Sequence, residues 1–393
     1  MLDIWFVIPL FIAIGIGWLL GRVSKQAVPK TSTQQSLSRD YFIGLDQLLN
    51  EQTDEAIESF IRALEINSET IPAHLALAKL FRRKGDVQRA VAIHQNLLAR
   101  PELNRADSLR IQMALAHDYD ALGLLDRTEN LLKDIIRQNP SEPTYTKSIK
   151  LLTKLYEKEG EWALALDTAA KLSPETRKSI LNECAHYSCQ LAEVSIKKQG
   201  YKEGQDYLKR ALNFAPNCVR ASILLAKISI AQEQWRSAVK YLRQVSQQDP
   251  LFVSETIKDL KVCYKRINNP QEYEQLLRSY LKSAPSATVI LALADLIKQD
   301  RGVYAAGVFI TDELKYRPSV KGFNKLIDMH IQHGSENARE SLKSLRTLTG
   351  TLEVSKPLYR CSHCGFSGKI LSWQCPSCKR WGTTKPIQGL EGE

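Results

Sequence analysis

The chain has 393 residues, 44% hydrophobic and 25% charged, a globular balance that excludes a disordered polymer and leaves room for two or three domains. Its formal net charge of +11 divides as +2 over residues 1–40, +5 over 41–353 and +4 over 354–393. The basic excess therefore sits in short flanks, without the long cationic stripe of a nucleic-acid binder.

Residues 1–22 read as a transmembrane anchor. Ile4 to Leu20 is a run of 17 residues without a charge, about 26 Å long as a helix against a hydrocarbon core of about 30 Å. Trp5 and Trp18 stand near its ends, where indoles favour the headgroup interface. A cleaved leader would carry positive charge before the apolar run, whereas here Asp3 precedes it and Arg22, Lys25 and Lys30 follow. The positive-inside rule then places the N-terminus outside and the body and C-terminus on the cytoplasmic side. Residues 23–38, rich in Ser, Thr and Gln, read as a flexible linker.

Residues 39–350 are helical and self-similar. Small residues recur at the packing point of each second helix: Ala56 in DEAIESFIRAL, Ala90 in QRAVAIHQNLL, Ala165 in ALALDTAAKL and Ala238 in RSAVKYLRQV. Ala56 and Ala90 are 34 residues apart, and Pro216, Pro250, Pro285 and Pro318 recur at intervals of 34, 35 and 33. That period identifies tetratricopeptide repeats. Gly85, Gly123, Gly160 and Gly200 fall where a first helix ends, as left-handed caps. Eight repeats are expected, with longer linkers around the third to fifth and a capping segment from Phe323 to Leu348.

Stacked helix pairs form a superhelix whose concave face is lined by first helices. Lys79, Arg82, Arg110, His117 and Lys227 are candidate contacts there for a partner presenting carboxylates or helix C-termini, with a solvated helix face as the competing reading. Tyr156, Trp162, Trp235 and Tyr273 read as repeat core, His330 and His333 as surface, and Cys184, Cys189, Cys218 and Cys263 as small buried hydrophobes.

Residues 354–393 carry the strongest signal. The tail reads CSHC, ten residues, then CPSC, so Cys361, Cys364, Cys375 and Cys378 form two knuckles that offer four sulfurs to one tetrahedral ion. Four thiolates suit iron or zinc, and spacing does not choose between them. The expected site is closed and structural, with Arg360, Lys369, Lys379 and Arg380 balancing its charge and His363 on the surface. Tyr359, Phe366, Trp373 and Trp381 are the expected miniature core, and metal supplies much of the folding free energy. Reduced thiols again point to the cytosolic side.

The fold class is therefore all-α: a tetratricopeptide-repeat superhelix with an N-terminal transmembrane helix and a small rubredoxin-like or zinc-ribbon four-cysteine module. No Walker loop, GxSxG elbow, HExxH or strand-linked GxGxxG is present, so an enzyme is not expected.

LSRDYFIGLDQLL from Leu37, AHLALAKLFRRKGDVQRAVAIHQNLL from Ala73, and YRCSHCGFSG with WQCPSCKRWGTTKPIQGL at the end resemble the lipopolysaccharide assembly protein B family of Gram-negative bacteria along the full chain. The resemblance implies an inner-membrane adaptor that brings the LpxC deacetylase to the FtsH protease and works with other lipopolysaccharide assembly proteins. It also implies a rubredoxin-like terminal module, although Lys379 stands where many rubredoxins have glycine. A membrane-tethered electron carrier and a nucleic-acid-binding scaffold are the competing readings. No nucleic-acid partner is expected, and the sequence leaves a homodimer open.

Overall fold

A computed structural model describes Trp18 and residues 39–66, 70–333, 336–390 and 392–393. The expected anchor and linker, Trp18 apart, lie outside these residues; among the described residues no helix is long and apolar enough to cross a membrane. The chain divides into two compact units, Met1–Leu124 and Leu125–Glu393.

The first unit contains α1 (Arg39–Leu49), α2 (Thr53–Ile66), α3 (Ile71–Lys84), α4 (Val87–Leu98) and α5 (Arg105–Ala121). Pro72 pre-sets φ in the first turn of α3, and Gly85 ends that helix in the left-handed region at φ 89°. Asn104 caps α5 by accepting from the Asp107 N–H at 2.8 Å. Ala56, Ile57, Phe60, Leu77 and Leu80 form the core under α1, where the Phe60 ring would lie 3.1 Å from a Cβ at Gly44.

Across α3, α4 and α5 runs a buried polar cluster. Asp118 is fully buried; Arg82 Nη1 donates to its Oδ1 at 2.5 Å and to the Ala114 carbonyl at 3.2 Å, while His94 Nδ1 donates to Oδ2. A carboxylate so placed tolerates burial only because both oxygens are paired. Asp118→Ala should lower the stability of this unit by about 3 kcal/mol, since Arg82 and His94 would lose their shared acceptor. Urea unfolding followed by circular dichroism checks this, and an unchanged midpoint would show that the cluster contributes nothing.

The second unit continues with α6 (Leu125–Arg137), α7 (Glu142–Glu159), α8 (Trp162–Ala170), the single turn α9 (Pro174–Arg177), α10 (Leu181–Lys197), α11 (Tyr201–Phe214), α12 (Val219–Ala231), α13 (Trp235–Gln248), α14 (Val253–Ile267), α15 (Pro270–Ser283), α16 (Ala287–Tyr316), α17 (Val320–His333) and α18 (Glu336–Ser355). Three short strands follow: β1 (Tyr359–Cys361), β2 (Ser367–Gly368) and β3 (Thr384–Pro386), antiparallel in the order β2-β1-β3.

The repeat period is written in the backbone. Glu51, Gly85, Gly123, Gly160, Gln199, Glu233, Asn268 and Gly302 all have positive φ, and each lies where one helical run gives way to the next. Among the described residues these eight turns recur at intervals of 34 to 39 residues, the period expected of the repeats; α16 counts as two helices because Gly302 breaks it. The packing alanines Ala56, Ala90, Ala165 and Ala238 are all fully buried, as close helix approach requires.

Three details differ from the sequence reading. Gly200 has φ −78° and precedes α11; the left-handed residue is Gln199, and glycine at 200 instead leaves room for the Ser195 carbonyl, 3.3 Å from where a Cβ would stand. The extra length around the third to fifth repeats lies partly in the expected long connection, from α8 to α10, and partly in long first helices, α5, α7 and α10, of 17, 18 and 17 residues. The expected capping segment is a further pair, α17 and α18. The four cysteines of the repeat body are all buried, with Cys189 and Cys218 Sγ 4.0 Å apart.

Candidate metal centre

Two equivalent turns build the centre. In the first, the Cys361 N–H donates to the Phe366 carbonyl at 2.7 Å and the Gly365 N–H to the Cys361 carbonyl at 3.0 Å. In the second, the Cys375 N–H donates to the Arg380 carbonyl and the Lys379 N–H to the Cys375 carbonyl, both at 2.9 Å. Each turn needs one left-handed residue, Gly365 at φ 76° and Lys379 at φ 57°. A lysine there carries a steric penalty that glycine avoids, so Lys379→Gly should stabilise the module by about 0.5 to 1 kcal/mol. Thermal unfolding of the metal-loaded protein checks this, and a lowered melting temperature would contradict it.

The turns bring all four Sγ atoms within 4.8 Å of one another. Cys361 and Cys378 Sγ are 3.8 Å apart, and Cys364 and Cys375 Sγ 3.6 Å. A tetrahedron with metal–sulfur bonds of about 2.3 Å has edges of about 3.8 Å, whereas a disulfide needs about 2.05 Å. The donor set therefore fits one tetrahedral ion rather than two disulfides.

Electrostatics favour ionisation unevenly. Burial opposes the Cys361 thiolate, but hydrogen bonds from Thr383, whose Oγ1 lies 3.3 Å from the sulfur, and from the Cys364 and His363 amides outweigh it and lower this thiol to about 6. The Phe366 amide is the main influence lowering Cys364. At Cys378 the Arg380 amide favours the thiolate, yet burial and the three neighbouring thiols push it up to about 11. A divalent cation offsets that mutual opposition by drawing all four thiolates to one positive centre.

The module does not stand alone. Trp381, 5% exposed, meets Trp162 edge-on at 6.0 Å, Tyr187 edge-on at 6.1 Å, and stacks on His186 at 5.0 Å. The Arg220 guanidinium lies 5.9 Å from the Trp381 ring centre. Trp373 stacks on Phe252 at 5.4 Å beside Val219 and Val245. Polar contacts frame these rings: Gln374 donates to Glu157 at 2.6 Å, Asn182 to the Trp381 carbonyl at 3.3 Å, Tyr359 to Glu255 at 2.8 Å, and Lys385 pairs with Asp249. Gly382, at φ 68°, permits the close approach, because a Cβ would lie 3.2 Å from His186 Nε2. Burial, with the positive charges of Arg220 and Lys385, pulls His186 down to about 3.

These contacts revise the expected miniature core. Trp373 and Trp381 face the repeats, Phe366 is exposed, and Trp162 serves the interface as well as the repeat core. His186, Tyr187, Arg220 and Phe252 were not singled out from sequence, since each looks like an ordinary helical residue until the module is placed. His330 and His333 line a cavity with Val303, Tyr304 and Met329, and His363 is exposed. Lys79, Arg110, His117 and Lys227 are exposed on α3, α5 and α12, whereas the Arg82 guanidinium is engaged by Asp118.

Residues 359–386 match the model of a rubredoxin metal binding domain and residues 73–107 that of a tetratricopeptide repeat. The chain is 36% identical over 394 residues to lipopolysaccharide assembly protein B of Escherichia coli (strain K12), covering 100% of both chains. It is 33% identical over 401 residues to the protein of the same name from Haemophilus influenzae, again covering 100% of both. A solved structure, the C-terminal part of a TPR repeat-containing protein from Cytophaga hutchinsonii, aligns with 64% of this chain and 99% of its own at 11% identity and TM-score 0.45.

Proposed function

Since the chain belongs to the lipopolysaccharide assembly protein B family, we propose that it is a non-enzymatic adaptor in lipopolysaccharide assembly that presents the LpxC deacetylase to the FtsH protease. The full-length identity to the Escherichia coli relative carries this reading. Helical repeats supply extended surface for protein partners, with Lys79, Arg110, His117 and Lys227 as contact points. Residues 1–22 act as a single inner-membrane anchor that keeps the body and C-terminus on the cytoplasmic side. Such a tether raises the effective concentration of a captured client at a membrane protease.

Cys361, Cys364, Cys375 and Cys378 hold one iron or zinc ion, which when bound supplies structural cross-linking through a closed shell of four thiolates. The chain's own residues then fix the module in place, Trp381 in its aromatic box and Trp373 on Phe252. Deleting the protein in its native host should lengthen the LpxC half-life several-fold in a translation-arrest chase. An unchanged half-life would remove the proteolytic role.

A further inference from the structure

A second site candidate, lined by no residue of the metal module, lies against α13. This helix, WRSAVKYLRQVSQQ, carries Arg236, Lys240 and Arg243 and no carboxylate. Positions i, i+4 and i+7 share one face of a helix, and all three line a cavity of about 720 Å³. Val239 and Ile267 add apolar lining; Gln244, Gln247 and Asn269 add amides that can both donate and accept.

Among the described residues, the one carboxylate lining this cavity is already committed. Glu272 accepts from Arg243 Nη1 at 3.3 Å, Tyr264 Oη at 3.3 Å and Asn269 Nδ2 at 3.0 Å. Arg236 and Lys240 are exposed, and neither has a carboxylate partner among the described residues. The cavity thus presents uncompensated positive charge beside apolar surface, which calls for an anionic occupant.

The spacing selects its kind. Along α13, Arg236 and Lys240 are about 6 Å apart and Arg236 and Arg243 about 10.5 Å. One phosphate group is too small to meet charges spread in this way. An extended chain places side chains of one face about 6.6 Å apart, matching the first interval, and its backbone can use the amides of Gln244 and Gln247. We propose that this cleft docks an extended acidic segment of a partner protein, with carboxylates at alternate positions meeting Arg236 and Lys240.

The site stands independently of the LpxC reading, and its test uses isolated components. Fluorescence anisotropy would follow the labelled peptide fluorescein-Gly-Glu-Leu-Glu-Leu-Glu-amide on the full-length protein in nonionic detergent. Saturable binding is expected, abolished when glutamines replace the glutamates and weakened about tenfold by the double substitution Arg236→Gln, Lys240→Gln. Both side chains are exposed, so the variant should melt with the wild type. Equal affinity in the variant, or no binding by the glutamate peptide, would overturn the proposal. It would equally be overturned if the substitutions left peptide binding intact but abolished binding of inorganic phosphate or of phosphatidylglycerol vesicles.

Discussion

Cys375→Ser is expected to empty the metal centre and unfold residues 359–386. Cys375 is fully buried, and its backbone closes the second knuckle through bonds to Arg380 and Lys379. A serine hydroxyl is a poor replacement for a thiolate, and the three remaining sulfurs would still repel one another. The strands it would leave behind are two or three residues long. Such a fold has little apolar burial of its own, and structural zinc in small modules contributes on the order of 10 kcal/mol to folding. Metal analysis should fall from about one ion per chain to near zero, and limited proteolysis should cut within the tail. Retention of the ion with an intact tail would refute the ligand assignment.

Trp381→Ala is expected to separate two properties that Cys375→Ser removes together. The knuckles do not use the indole, so the metal should stay. The docking surface does use it, against Trp162, His186, Tyr187 and Arg220, and truncating a buried tryptophan costs about 3 to 5 kcal/mol. The resulting signature is specific. His186, held at about 3 by burial and by Arg220 and Lys385, should titrate well above that, toward the ordinary 6.5, once the module lifts away, which proton NMR can follow. The same shift gives docking a pH dependence. Above pH 6.5 the ring is neutral whether docked or released; below it only the released ring gains a proton, so docking weakens as pH falls toward about 3, where the docked ring protonates too. A variant with unchanged stability and an unmoved His186 titration would show that Trp381 does not hold the module.

The four-cysteine cluster was legible because its geometry is local: two short turns at fixed spacing bring all four sulfurs together. The repeat period was legible too, but among the described residues glycine marks only four of these eight left-handed turns. The others use Glu51, Gln199, Glu233 and Asn268, which reach the same backbone region when tertiary packing holds them there. That is why glycine placement alone puts this cap at Gly200, one residue past the left-handed Gln199. The docking of the module was not legible. Trp381 and His186 are far apart in the chain, and neither periodicity nor composition distinguishes an indole that fills its own small core from one that fills a neighbour's.

The central claim is that the metal centre and the repeat array form one coupled body within the second unit. Amide hydrogen exchange, compared between the metal-loaded protein and the same protein after thiolate-specific metal removal, tests it most directly. The account predicts that losing the metal raises exchange both in residues 359–386 and in the middle of α10 around His186 and Tyr187. Faster exchange confined to residues 359–386, with α10 unchanged, would contradict it.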